Sequence, residues 1–210
     1  MLKVDFFTNR VFNSRTYILS KEGHDAVWLV DCGDTDRVLE QIEGKKTVEG
    51  VLLTHAHSDH IYGLEALLKH FPQVKIYTNE AGVEALKSPQ LNISRYHSEY
   101  PDISIEAPEN ITLLKDGDTF ELLGSPVTVY ETPGHAPSCL IYLIEDKAFT
   151  GDAYIPGVKV FTGFPHSNRE QAAESVERIL QLTTNCLIMP GHTVPENMDK
   201  MNYSSQPINV

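Results

Sequence analysis

The sequence predicts an α/β sandwich, two β-sheets with helices on their outer faces, and three observations carry that expectation. Short apolar runs rich in Val, Ile, Leu and Tyr recur between turn residues, as strands do. A few segments switch to a helical period. Strands and helices alternate at first, a strand-rich middle follows, and a helix and a strand close the order, which suits paired sheets with outer helices.

The expected strands are Leu2–Phe7, Thr16–Ser20, Ala26–Val30, Gly50–Thr54 and Lys75–Thr78. A second set covers Ile111–Leu114, Thr119–Leu122, Val127–Glu131, Ser138–Ile144, Ala148–Thr150 and Leu187–Met189. Asp36–Ile42 reads as a short helix. His60–His70 places Ile61, Leu64, Leu67 and Leu68 on one helical face, and Arg169–Leu182 does the same with Ala172, Val176, Ile179 and Leu180. Residues Ser88–Pro108 show no period and read as a long loop, a feature that is usually functional or mobile in a compact domain.

Length and composition bound the answer. A chain of 210 residues suits one domain, expected over 1–195 with a tail at 196–210. The net charge of −12, from 17 basic and 29 acidic residues, disfavours nucleic acid and anionic membranes as partners. The densest basic spot, Lys45–Lys46, reads as a solvated turn. Cys32, Cys139 and Cys186 are odd in number and widely spaced, so they read as small hydrophobes packed on strands rather than a disulfide framework. The opening residues Met1-Leu2-Lys3-Val4-Asp5 lack a signal-peptide pattern and no apolar stretch approaches a membrane span, so the expected location is cytoplasmic.

Chemistry concentrates in His55-Ala56-His57-Ser58-Asp59-His60, directly after the apolar run Val51-Leu52-Leu53. In extended backbone, residues two apart point the same way, so His55 and His57 can grip one ion. Asp59 and His60 turn with the start of a helix towards a neighbouring point, which makes two adjacent metal sites the expected geometry. Thr132-Pro133-Gly134-His135, Gly151-Asp152 and Pro190-Gly191-His192 each follow an expected strand, on the same edge as the first cluster. Glycine lets the chain turn sharply there and leaves space beside a ligand.

This ordered set resembles the metallo-β-lactamase superfamily in its glyoxalase II-like branch, over about Leu2 to Pro195. The resemblance implies an αββα four-layer sandwich with metals at one edge of the paired sheets. It implies that His55, His57 and His135 hold a first ion, that Asp59, His60 and His192 hold a second, and that Asp152 bridges them. Nitrogen and carboxylate donors suit two Zn2+ ions, with iron or manganese as alternatives. Diiron oxygen-reducing relatives carry a Glu where His57 stands, so a hydrolytic site is favoured. Asp31, in Leu29-Val30-Asp31-Cys32-Gly33, reads either as a support behind the site or as a turn residue before Gly33.

The implied enzyme is a zinc-dependent hydrolase that cleaves a thioester, ester or lactone of a small metabolite, in the manner of a hydroxyacylglutathione hydrolase. Water shared by two divalent cations loses a proton near neutral pH and supplies the attacking hydroxide. Asp59 and Asp152 are the expected catalytic carboxylates, with Asp59 able to accept the water's proton. Tyr154 either donates a hydrogen bond to a carbonyl oxygen or packs at the rim. No G-x-S-x-G elbow offers a serine nucleophile. Glyoxalase II enzymes carry basic residues for glutathione beyond the last metal histidine, whereas this chain continues for 18 residues with only Lys200 basic, which puts glutathione specificity in doubt. His166, beside Phe161 and Phe164 in the loop 157–168, reads as a proton donor or a surface residue, and Tyr96 and Tyr100 as a roof over the pocket or bystanders. His24, His70 and His97 have no partner motif. Three rival functions are a metal-dependent phosphodiesterase, a β-lactamase, for which a periplasmic role calls for a signal peptide, and a metal-binding sensor without turnover. Oligomeric state is not encoded in any feature of the sequence.

Overall fold

In the computed structural model, which describes residues 1–42, 47–98 and 101–193, each expected strand forms within about three residues of its expected bounds. They are β1 Lys3–Thr8, β2 Arg15–Ser20, β3 Ala26–Val30, β4 Thr47–Leu52, β5 Lys75–Thr78, β6 Ile111–Leu113, β7 Thr119–Leu122, β8 Ser125–Glu131, β9 Leu140–Ile144, β10 Lys147–Gly151 and β11 Leu187–Pro190. The helices are α1 Thr35–Gln41, α2 Ser58–Ile61, α3 Leu64–His70, α4 Glu80–Lys87 and α5 Arg169–Leu182. Lys45–Lys46, Tyr100, Lys200 and the expected tail lie outside the described residues.

Two sheets form. One runs β1-β2-β3-β4-β5-β6 and the other β11-β10-β9-β8-β7. In the first, β3 to β6 are parallel and the β1–β2–β3 edge is antiparallel. In the second, only β10 and β11 are parallel.

The period of two explains how the layers stack. In β3, Ala26, Trp28 and Val30 join Leu19 and Leu52 against Val127, Val129, Tyr142 and Phe149 of the other sheet. The alternate residues Val27 and Leu29 turn outward and meet Val38, Ile61, Leu64, Leu67 and Leu86 of α1 to α4. On the far side, Ile141, Ala148 and Ile188 pack under Ile179 of α5. The result is the four-layer αββα sandwich. Each fully buried Leu or Ile of these clusters contributes about 1.5–3 kcal/mol by leaving water.

Several expectations need correction. The helix expected over His60–His70 is two helices, because the Gly63 N–H donates to Cys32 O (3.1 Å) instead of to the carbonyl four residues back. The Gly63 carbonyl still accepts from Leu67 N (2.9 Å) to open α3 and also takes the Thr35 hydroxyl (2.7 Å), which pins the chain against the β3–α1 turn. The stretch read as unstructured from residue 88 follows a helix the periodicity missed, α4, whose start is capped by Asn79 accepting from Gly82 N (2.9 Å). A 3-10 turn at Ser94–Tyr96 lies within that stretch. None of the cysteines lies in a strand: Cys32 and Cys139 are buried in turns, and Cys186 precedes β11.

Candidate metal centre

The parallel β3 and β4, with β8, β10 and β11, end on one edge, and the segments that leave them carry the ligand-type side chains. The Thr54 carbonyl accepts from Leu140 N (2.7 Å) and Ala56 N donates to Ser138 Oγ (3.1 Å), so the segment after β4 is stitched to the second sheet. His57 sits extended (φ −69°, ψ 150°) immediately before α2, and Asp59 and His60 lie in its first turn. The sheet edge thus presents His55 and His57 from extended chain and Asp59 and His60 from helix, as the spacing predicts.

Two glycines are required by close approach. A Cβ at Gly191 would collide with Asp152 Oδ1 and come 2.9 Å from His60 Cε1. Gly134 adopts φ +135°, and a Cβ there would collide with the backbone of Ala172 at the start of α5.

Three groups of donor atoms gather, each within 4.8 Å: His55 with His57 and His135, His55 with His60 and Asp152, and Asp59 with His60 and His192. Asp152 spans the clusters, with Oδ2 3.7 Å from His135 Nε2 and 3.2 Å from His192 Nε2, while Oδ1 is 3.6 Å from His60 Nε2. Asp59 Oδ2 lies 3.3 Å from His192 Nε2 and 3.4 Å from His60 Nε2. The structure therefore brings together all seven side chains singled out in the sequence.

The outward ring nitrogens are held by acceptors. His60 Nδ1 donates to Asp31 Oδ2 (2.8 Å), His135 Nδ1 to Phe161 O (2.8 Å) and His192 Nδ1 to Phe12 O (3.1 Å). Each bond fixes a ring and turns its Nε2 towards the cluster. Asp31, at φ +58°, also accepts from Thr54 N (2.8 Å) and Thr54 Oγ1 (2.7 Å). Because the Thr54 hydroxyl spends its proton on Asp31, it accepts from His55 Nδ1 (3.2 Å). Asp31 is thus a support behind the cluster, reaching His60 directly and His55 through Thr54.

Charge divides the cluster. Burial, joined by the neighbouring histidines, pushes His55 well below its ordinary value and His57 to about 3. Burial also disfavours charge on His60, but Asp59, Asp31 and Asp152 outweigh it and raise His60 to about 9. Against the same burial penalty, Asp152 and Asp59 raise His192 to about 11. Their carboxyls shift down in turn, Asp152 well below the usual range, because the positive charges of His60 and His192 overcome burial.

The donor set fits a pair of cations. His55 Nε2 and Asp152 Oδ1 are buried without any hydrogen-bond partner, a costly state for a lone pair unless it faces an ion. His60 Nε2 and His192 Nε2 face one another at 3.3 Å with both Nδ1 protons committed elsewhere. A tetrahedral site with bonds of about 2.0–2.1 Å has donor–donor edges of about 3.3 Å, which is the spacing seen. These residues could hold the two ions that the resemblance implies.

The sequence pattern of the metallo-beta-lactamase superfamily matches residues 9–192, from the β1–β2 turn to the last histidine of the cluster. The chain belongs to the metallo-beta-lactamase superfamily. Within it, a hydroxyacylglutathione hydrolase of Hydrogenovibrio crunogenus is 27% identical over 84% of this chain and 58% of its own length. A probable metallo-hydrolase of Streptococcus pyogenes serotype M6 is 28% identical over 91% of this chain and 84% of its own. The chain spans less than three fifths of the first relative's length. The crystal structure of BLEG-1 B3 metallo-beta-lactamase superimposes with a TM-score of 0.82, covering 97% of this chain and 100% of that one at 22% identity, a likeness of fold.

Other sequence expectations fall differently. Tyr154 is 6% exposed in the apolar cluster with Ala153 and Ile179 under α5, and its hydroxyl makes no hydrogen bond to the seven side chains. His166 lines a pocket that opens beside His57 and His135. Tyr96 is 57% exposed and takes no part in that pocket's wall. His24 and His70 are exposed, whereas His97 packs at a tilt against Phe12 with ring centroids 4.6 Å apart. Sequence reasoning missed Thr54, whose only signal was a hydroxyl beside the first histidine. It also missed Phe12 and Phe161, which act through backbone carbonyls and leave no signature. Among the described residues, no helix is long and apolar enough to cross a membrane.

Proposed function

We propose that this chain is a dinuclear metal-dependent hydrolase, most simply a zinc enzyme, that cleaves a thioester, ester or lactone of a small metabolite. The observation that carries the reading is the convergence of seven donors, four of them histidines whose outward ring nitrogens are fixed by hydrogen bonds, with two inward atoms left unpartnered. In this reading His55, His57 and His135 hold one ion, Asp59, His60 and His192 the other, and Asp152 lies between them.

Two bound divalent ions supply a hydroxide at neutral pH by lowering the pKa of water from about 15.7 towards about 7. The remaining work belongs to the chain. In this reading Asp59 and Asp152, whose Oδ2 atoms lie 3.3 and 3.2 Å from His192 Nε2, would hold negative charge beside the attacking water, and Asp59 would take its proton. The Asp31–Thr54 pair keeps His55 and His60 oriented. Phe164 closes over His57, with ring centroids 5.0 Å apart, and shields it from bulk water. A small-molecule substrate belongs to the same proposal, supported by the net charge of −12, which disfavours nucleic acid. A cytoplasmic setting belongs to it as well, supported by three free cysteines.

The deciding experiment is hydrolysis of S-lactoylglutathione by zinc-loaded protein, with Asp59→Ala as the control and metal content measured in parallel. Turnover lost in the variant is the expected result and places the substrate among hydroxyacyl thioesters. No turnover with metal confirmed bound overturns that substrate and directs the assay to lactones, other thioesters and phosphodiesters.

A further inference from the structure

Beside His57 and His135 opens a small pocket whose other walls are mostly apolar. Leu91 and Ile93 come from the segment after α4, Ala136 and Pro137 from the loop after β8, and Phe164 and Pro165 from the loop before α5. Its cavity volume is about 10 Å3, room for about one water molecule and hence for a methyl-sized group.

One wall is built against backbone preference. Ile93 is 4% exposed and sits at φ +60°, a left-handed conformation that β-branched residues avoid. The residue before it makes that conformation hold. Asn92 is fully buried, donates to Ala85 O (3.0 Å) and Ile103 O (2.9 Å), and accepts from Ser94 N (3.0 Å). Its own carbonyl accepts from Ser58 N (2.8 Å), which ties the segment to the residue after His57. A strained backbone held so firmly beside a pocket points to a role for the shape of the side chain it carries.

We infer that this pocket receives the acyl group of the substrate and that Ile93 sets its depth, so that acyl groups with one or two carbons beyond the carbonyl are preferred. The inference rests on the hydrolytic reading and names the substrate class within it. In the reaction a C–O bond forms from water to the acyl carbon and the C–S or C–O bond to the leaving group breaks. The leaving group departs as a thiol or alcohol with one proton, and the acyl group departs as a carboxylate with a proton released to solvent.

The test is a series of acyl-N-acetylcysteamine thioesters from acetyl to octanoyl, cleaved by zinc-loaded wild type, Ile93→Gly and Phe164→Ala. Glycine accepts the left-handed backbone, and Phe164 is only half-buried, so both variants are suited to fold. In wild type, kcat/KM is expected to fall at least about tenfold from propionyl to octanoyl, since a misfitting methylene costs about tenfold or more. Either variant is expected to recover at least about tenfold for octanoyl relative to acetyl. Calorimetric binding of acetate and octanoate to the same proteins gives a readout independent of turnover: wild type is expected to bind acetate more tightly and Ile93→Gly to reverse the order. Failure to cleave any thioester sinks the thioester reading, and the carboxylate titration still decides the pocket. Octanoate binding to wild type as tightly as acetate, or an unchanged preference in both folded variants, overturns the assignment of Ile93.

Discussion

Thr54 shows how much one hydroxyl can organise. It donates to Asp31, accepts from His55, and so links two histidines on different sides of the cluster to one buried carboxylate. Thr54→Val keeps the shape and removes the link, leaving His55 Nδ1 without its acceptor. Zinc affinity is expected to fall about 10–100-fold, as for other supports behind metal ligands, measured by chelator competition with an unchanged circular dichroism spectrum. Unaltered affinity would reduce Thr54 to a spacer. The seven donors were legible in the sequence because imidazole and carboxylate carry their chemistry in the side chain. Phe12 and Phe161 were not, because the carbonyl each supplies is common to all residues.

At the scale of elements, the strands were readable because each buried face leaves an alternating or continuous apolar run. Helix α4 escaped because it is eight residues long and its apolar side is largely small, with Gly82 and Ala85 among its buried positions. The break between α2 and α3 escaped because it is made where the Gly63 N–H turns to the carbonyl of Cys32, a residue distant in sequence. The described residues around Asn92 are tied together by its amide, which satisfies the carbonyls of Ala85 and Ile103. Asn92→Ala strands those groups. The expected loss is about 2–3 kcal/mol, or roughly 5–10 °C in Tm, checked by thermal denaturation of metal-free protein. A shift below about 1 kcal/mol would mean that the segment is held by its apolar contacts instead.

The charge division within the cluster becomes a property of the whole molecule when stability is measured against pH. His60 and His192 bind protons more tightly folded than unfolded, at about 9 and about 11. Their stabilisation is complete below the unfolded value of about 6.5 and is lost as pH rises through the folded values. His55 and His57 refuse protons when folded, so below about 6.5 the unfolded chain gains them and stability falls. Metal-free protein is therefore expected to be most stable near pH 6.5 and to weaken on both sides. Thermal midpoints from pH 5 to 9 check this; a monotonic rise would show that the His60–Asp59–Asp152–His192 group does not hold its protons. The four-layer fold was legible from element order, whereas this balance depends on which groups face one another across the two sheets.

His192 is joined to the first hairpin as well as to its own sheet: it bridges Ser14, and the neighbouring Gly191 carbonyl accepts from Arg15 N (2.7 Å). During synthesis this imposes a timetable. His55, His57, Asp59 and His60 are all synthesised at least 132 residues before His192, yet the contacts of the hairpin near residue 15 with this turn and the second half of the ion cradle wait for residue 192. A nascent chain that lacks residue 192 can gather only part of the cradle, so the turn after β11 is also the latch that closes it.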